Sequence, residues 1–363
     1  MEGTASQRPL GVGIIGTGRV AANHANACRA VEEVALRAVA DVDQGRLQEF
    51  LARFASPGTG TGDGPGAPAV AGYADYAELL QRPDVDLVLV TLPHWLHAEA
   101  TIRALEAGKH VLIEKPMAMT LEECDRMIQA AARAGRRLAV GLTHHFHAIP
   151  PLAKELLDSG RFGRIAWGTE VMYATRRLGA NPPWFYDRSL GGGQLLGNGV
   201  HFVDRLCWTI GSSGGGPGDA TPAAPDRARP VAVKALVGTF FNDYAADDGA
   251  VLFIQFDTGQ VATLHLTGHY AGAARYEAEY VAARGMVRYG RELQATHPET
   301  PDDATYHPIP VEKHNGFERQ LRDLAGAIRE GRSPMVPGEW GRMVLAVLLA
   351  AEESSRSGRE VLL

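Results

Sequence analysis

Short, almost continuously apolar runs alternate with amphipathic stretches over the first 143 residues of the chain. The runs are Leu10 to Ile15, Val34 to Ala40, Asp86 to Thr91, His110 to Ile113 and Arg137 to Leu142. Nearly unbroken apolar character fits strands covered on both faces, as in a parallel sheet flanked by helices. Between them, Val20 to Ala30, Asp43 to Phe54, Leu96 to Ala107 and Leu121 to Ala134 carry the three-to-four-residue spacing of helices. Thr120-Leu-Glu-Glu123 has the spacing of a capping box, and Gly108 and Gly135 are placed to stop helices. The pattern predicts a doubly wound α/β unit over residues 8–143.

Residues 144–363 change character. After a helix near Pro151 to Ser159, two-residue alternation dominates Arg164 to Tyr173, Val231 to Phe241, Ala250 to Asp257, Gln260 to His269, Tyr276 to Ala283 and Met286 to Tyr289. Asp257-Thr-Gly-Gln260 and Ala283-Arg-Gly285 suit hairpin connections, which favours an antiparallel sheet. Helices at Phe317 to Arg329 and Glu339 to Ser354 close an α+β domain. Ser56 to Pro68 and Gly211 to Pro230 are dense in Gly, Pro, Ala and Asp and read as surface loops.

Composition narrows the class. At 363 residues the chain exceeds one ordinary core, and 45% apolar with 21% charged residues is globular usage. A formal net charge of -6 repels a phosphate backbone, so no nucleic-acid partner is expected. Cys28, Cys124 and Cys207 have neither metal-ligand spacing nor a disulfide framework, which fits a reducing compartment. No apolar run approaches the roughly 18 to 20 residues of a membrane span, and a cytoplasmic protein without membrane contact is expected.

The first apolar run feeds Gly16-Thr17-Gly18-Arg19-Val20-Ala21, and a helix follows directly. Gly16 permits a tight turn, Gly18 lets backbone approach a pyrophosphate, and Ala21 lets helix and strand pack closely. The helix start presents N–H groups to phosphate. Asp41 ends the next strand, where its carboxylate is placed to accept ribose hydroxyls and to repel a 2′-phosphate. NAD is therefore the expected cofactor, with NADP left open by the nearby guanidinium of Arg46.

Thr91-Leu92-Pro93-His94-Trp-Leu-His97 and Glu114-Lys115-Pro116 each follow a strand. Open α/β sheets bind ligands beyond the carboxyl ends of strands, so both segments are expected at the nicotinamide end of the site. Farther on, His201 and Asp204 are three residues apart, a spacing that shares a helix face and allows the acid to orient the imidazole. His144, His145 and His147 lack a carboxylate or cysteine to complete a local ligand set, and no metal is expected. Arg176, Trp184, Phe185 and Tyr186 read either as packing groups or as a stacking wall for a substrate ring.

Taken together these segments resemble the Gfo/Idh/MocA family, the glucose-fructose oxidoreductase and inositol dehydrogenase group. The residues carrying the resemblance are Gly13-Ile-Ile-Gly-Thr-Gly18, Ala107-Gly-Lys-His-Val111 with Glu114-Lys-Pro116, Gly191-Gly-Gly193 with His201, and Gly358-Arg-Glu-Val-Leu-Leu363. The resemblance implies an N-terminal Rossmann domain and a C-terminal domain with a large open antiparallel sheet that builds homodimers or homotetramers. It also implies that Lys115 and His201 flank the reacting carbon and the nicotinamide, that His144, His145 and Asn198 line the substrate site, and that substrates are sugars, cyclitols or their derivatives. One departure stands out: the family's Asp-x-x-x-His pattern would place an acid where this chain has Gly197.

The resulting expectation is an NAD(P)-dependent dehydrogenase or reductase acting on a secondary alcohol or ketone of such a ring, with Lys115, His201 and Asp204 in the proton chemistry. Two alternatives stay open: an enzyme that retains its cofactor and uses transient oxidation for elimination or glycoside cleavage, and a non-catalytic dinucleotide-binding regulator.

Overall fold

The structure, a computed structural model, describes residues 8–54, 69–174, 181–211, 228–269, 272–300 and 305–363. Residues 56–68 and 212–227, the bulk of the two expected loops, lie outside them. The chain divides into two compact units, residues 1–143 with 315–339 and residues 144–314 with 340–363.

The first unit runs β1 (Leu10–Ile15), α1 (Arg19–Ala30), β2 (Val34–Ala40), α2 (Gln44–Phe54), β3 (Ala71–Tyr73), α3 (Tyr76–Leu80), β4 (Leu87–Val90), α4 (His97–Glu106), β5 (His110–Ile113), α5 (Leu121–Ala134) and β6 (Leu138–Val140). Its six strands are parallel in the order β3-β2-β1-β4-β5-β6. The order changes direction between β1 and β4, which opens a crevice beyond their carboxyl ends. Strands as apolar as Leu87–Val90 are wholly buried because helices cover both faces. Helix α5 starts in the expected capping box, Thr120 Oγ1 accepting from Glu123 N–H at 3.1 Å, and ends at Gly135 in the left-handed region. The edge strand β3 and the five-residue α3 fall outside the sequence expectation, being too short to show a period.

The second unit runs α6 (Ile149–Asp158), β7 (Ile165–Tyr173), α7 (Val200–Ile210), β8 (Pro230–Gly238), β9 (Gly249–Phe256), β10 (Val261–Thr267), β11 (Arg275–Ala282), β12 (Gly285–Tyr289), β13 (Leu293–Ala295) and β14 (His307–Ile309). After α8 (Gly316–Glu330), which belongs to the first unit, α9 (Gly338–Ser357) leads to β15 (Val361–Leu362). The nine strands lie in the order β14-β13-β12-β11-β7-β10-β9-β8-β15. The sheet is mixed rather than wholly antiparallel: β7 and β10 pair in parallel. Local hairpins join β9 to β10 and β11 to β12, whereas β7 comes from earlier in the chain and inserts between β10 and β11. Burial alternates along β9, one face turned to the core and the other leaving Val251 and Phe253 exposed.

Residues 315–339 correct the expected boundary, which gave everything after residue 143 to the second domain. Leu321, Leu324 and Ala325 of α8 join the apolar cluster built on Val12, Ile14 and the alanines of α1. Periodicity shows that such a helix must bury a face; it does not say against which sheet. Among the described residues no helix is long and apolar enough to cross a membrane.

Candidate active site

The turn after β1 is built for close approach. Gly16 sits at φ +93°, and a Cβ there would lie 2.9 Å from the Thr91 carbonyl oxygen, so only glycine suits it. Gly18, the N-cap of α1, is exposed, and a Cβ on it would meet nothing within 4 Å. That open space, next to a helix start without a side-chain cap, fits a dinucleotide phosphate. Arg19 and Val20 follow as the first helical residues. Thr91 turns its hydroxyl to the carbonyls of Ile15 at 3.1 Å and Gly16 at 2.7 Å, so it shapes the turn from the neighbouring strand.

Asp41, at the end of β2, closes the same corner. Its Oδ2 accepts from the backbone N–H and the hydroxyl of Thr17, each at 2.8 Å. Its Oδ1 accepts from Asp43 N–H and from Arg46 Nη2, each at 2.9 Å. Burial pushes this carboxyl up, but the hydrogen bonds from Arg46, Thr17 and Asp43 outweigh it and hold the group below the usual carboxylate range. Arg46 also meets Asp43 at 3.0 Å, so its charge is divided between two carboxylates.

Glu114, Lys115 and Pro116 follow β5, with a cis peptide between the last two. Glu114 was expected to face the cofactor. Its carboxylate turns instead to His24 of α1, Oε1 to Nε2 at 2.8 Å, while Oε2 accepts from Lys115 N–H at 3.2 Å. Burial raises Glu114, but His24 and Lys115 bring it below the ordinary range, so it stands as an anion beneath the lysine. His97 was also expected at the cofactor. It is fully buried, Nδ1 at 2.9 Å from Pro116 O and Nε2 at 2.8 Å from Leu92 O, and so ties together the turns after β4 and β5. Burial lowers its pKa, the surrounding carbonyls acting the other way. His94 is buried against the His97 ring at 5.6 Å, with Leu92 and Pro93 half-buried before it. His24 escaped the sequence analysis, since one histidine in an alanine-rich helix carries no signal of its partner.

In the second unit the half-buried rings of His144 and His201 stack at 4.3 Å with 16° between planes. Arg205, one turn beyond His201, donates to His144 Nδ1 at 3.1 Å and forms a buried ion pair with Glu170 of β7. With Nδ1 accepting, the neutral His144 ring carries its proton on Nε2.

Asp204 does not play the part expected of it. It is wholly buried, and Oδ1 accepts from His145 Nε2 at 2.7 Å and from Trp340 Nε1 at 2.6 Å. His145 in turn is buried and stacks on Trp208 at 4.0 Å. Both residues leave the candidate catalytic and substrate sets: an i, i+3 spacing puts two side chains on one face, and a stronger partner from another element took the carboxylate.

The segment before His201 forms a π-helical turn, Leu195–Gly199. Asn198 Nδ2 donates to the Gln194 amide oxygen at 2.6 Å. A Cβ at Gly197 would lie 2.4 Å from Phe185 Cε2. The space beside residue 197, where the family pattern puts an acid, therefore holds an aromatic ring. Trp184 and Tyr186, half-buried, flank Phe185 on the 3₁₀ turn Pro183–Tyr186. Arg176 lies outside the described residues.

Comparison with known proteins agrees with this geometry. Residues 10–142 match the family model described as an oxidoreductase family with an NAD-binding Rossmann fold, and residues 152–288 match the GFO/IDH/MocA C-terminal domain. The chain is 32% identical over 275 residues to 1-carboxy-3-chloro-3,4-dihydroxycyclohexa-1,5-diene dehydrogenase of Comamonas testosteroni, a match spanning 74% of this chain and 60% of that relative. It is 26% identical over 355 residues to myo-inositol 2-dehydrogenase of Thermotoga maritima, covering 96% and 97% of the two chains. The aldose-aldose oxidoreductase of Caulobacter crescentus, solved with glycerol, superposes with a TM-score of 0.81 at 26% identity, covering 98% of this chain and all of that one. An NAD-binding glycine turn followed in one chain by the matching C-terminal domain makes this enzyme a member of the GFO/IDH/MocA oxidoreductase family.

Proposed function

We propose that the enzyme is a dehydrogenase or reductase that moves a hydride between NAD and a secondary alcohol or ketone on a sugar, a cyclitol or a derivative of either. The observation that carries this reading is the setting of Lys115. Its turn follows a parallel strand of the sheet whose β1 ends in the glycine turn, and Glu114 and His97 hold that turn on either side. Relatives named for inositol and aldose chemistry support a polyhydroxylated ring as substrate.

The nicotinamide, when bound, accepts the hydride in oxidation and returns it in reduction. Lys115 presents an ammonium whose N–H donors stabilise negative charge developing on the substrate oxygen. His201 takes the hydroxyl proton in oxidation and gives it back in reduction. With Gly197 in place of an acid, these two groups do the proton work without a neighbouring carboxylate at that position. NAD is favoured over NADP because the Asp41 carboxylate occupies the ribose corner and Arg46 is paired with acids. The reading includes a cytoplasmic homodimer or homotetramer.

The test is a panel of cyclitols, aldoses and glycosides with NAD and NADP, followed by the absorbance of reduced nicotinamide. Lys115→Ala and His201→Ala are each expected to lower kcat by about 100- to 10,000-fold, while the Kd for NAD, read from protein fluorescence, stays within a few-fold. Product formation without stoichiometric reduced nicotinamide would shift the reading to a cofactor-retaining elimination. Absence of any turnover across the panel would favour the regulator.

A further inference from the structure

The second unit contains a cleft of about 780 Å³ that none of the proposed proton-transfer groups lines. Its aromatic walls are Tyr186, Phe241 and Tyr244, and Asn181, Asn242 and Asp243 supply polar atoms. We propose that this cleft receives a second ring of the substrate, a glycosyl or aryl group linked to the ring that is oxidised or reduced. The proposal rests on the dehydrogenase reading above and specifies its substrate as a two-ring molecule.

The cleft is built rather than incidental. The loop between β8 and β9 folds back onto Asp248, which is wholly buried. The Asp248 carboxylate accepts from Phe240 N–H at 2.7 Å, from Phe241 N–H at 2.8 Å and from Asn242 Nδ2 at 2.8 Å. These three bonds fix the backbone that presents the Phe241 ring, which is left 57% exposed. Asn242 spends its amide N–H on Asp248 and keeps its carbonyl oxygen for another donor. Tyr186 and Tyr244 stand edge to face, ring centres 5.0 Å apart at 71°. The Tyr244 hydroxyl is buried, lines the cleft and has no hydrogen-bond partner among the described residues. A buried phenol left this way costs free energy that an incoming hydroxyl or ring oxygen would recover.

The cleft and the segment leading to His201 share one element of this unit. On one 3₁₀ turn, Phe185 presses against Gly197, four residues before His201, while Tyr186 beside it faces the cleft. A molecule whose reacting ring meets His201 thus has a neighbouring wall for a ring linked to it. Flat aromatic faces stack on the C–H faces of a pyranose or on an arene. Asp243 on the same wall disfavours a diphosphate linker, which argues for a glycoside over a sugar nucleotide.

The experiment compares glucose, galactose and mannose with their phenyl α- and β-glycosides, measuring kcat/KM with NAD on the full-length enzyme. At least one phenyl glycoside is expected to exceed its free sugar by about tenfold or more. Phe241→Ala should remove most of that ratio, and Tyr244→Phe, which keeps the ring, should lower it several-fold. Ratios near one for every pair, or turnover of free sugars alone, would overturn the proposal. Should none of these sugars be oxidised, the cyclitol arm of the panel above decides the dehydrogenase reading, and saturation-transfer NMR of the phenyl protons decides the cleft separately. Transfer that weakens in Phe241→Ala supports it. Absence of transfer, or displacement of the phenyl glycoside by a lower concentration of UDP-glucose, overturns it.

Discussion

Asp41 holds the fold together at the corner where the proposed function places ligand choice. It accepts two hydrogen bonds from Thr17 and one from Arg46, and so stitches the end of β2 to the glycine turn while pairing with an exposed guanidinium. Removing it frees Arg46 from one of its two carboxylates and withdraws the acceptor expected for ribose hydroxyls. Asp41→Ala should therefore raise the KM for NAD by about 10- to 100-fold, the worth of hydrogen bonds to a charged group, and improve NADP relative to NAD. Steady-state kinetics with both dinucleotides checks this, and an unchanged NADP-to-NAD ratio would sink it. At this scale the sequence was legible where chemistry is local. Gly16, Gly18 and Asp41 follow from spacing along adjoining elements. The partners of Asp204 and Glu114 did not, because His145, Trp340 and His24 reach them from elements distant along the chain.

Among the elements, the turn and helix leading to His201 depend on Asp247, at the end of the loop that enters β9. Its backbone carbonyl accepts from Gln194 N–H at 3.0 Å, and its Oδ2 accepts from Leu195 N–H at 2.8 Å. Its Oδ1 faces Gly193, where a Cβ would lie only 2.0 Å away. Burial and the neighbouring Glu352 carboxylate push its pKa from 3.8 up to about 7, with Arg188 and the Leu195 N–H acting against them. For an acid raised in the folded state, the contribution to stability is fully present below the unfolded value and lost as pH rises through the folded one. The window is therefore about pH 4 to 7. The effect amounts to at most about 4 kcal/mol. Asp247→Asn keeps an oxygen for Leu195 N–H and cannot ionise, so its urea midpoint should fall less between pH 5 and pH 8 than that of the wild type. Equal slopes for the two proteins would refute the assignment. The long strands and helices were readable from their periods. The π-helical turn at Leu195–Gly199 and the short strands β3, β13, β14 and β15 were not, since a single irregular turn or one pair of alternations leaves no pattern to count.

Across the molecule, the outward face of the nine-stranded sheet is the feature that calls for a partner. Trp167 of β7, Leu236 of β8 and Val251 and Phe253 of β9 are 49%, 58%, 46% and 41% exposed. In pairing register, Leu236 lies opposite Val251. Clustered apolar surface on a sheet face suits association with a second copy of the same chain. Light scattering at micromolar concentration should report two or four chains, and Phe253→Glu with Val251→Glu should move the mass towards one. A wild-type mass of one chain would rule the interface out. Two domains of the right classes could be anticipated from patterning and resemblance. The return of α8 to the first unit could not, because its apolar stripe carries no address.

That return governs when the first unit can complete its core. The nucleotide-binding core lacks Leu321, Leu324 and Ala325 until the ribosome has delivered residues 315–339, by which time nearly all of the second unit has been synthesised. A nascent chain must therefore keep its glycine-loop sheet waiting, with the seat of a late helix uncovered, through more than a hundred and seventy residues of further translation.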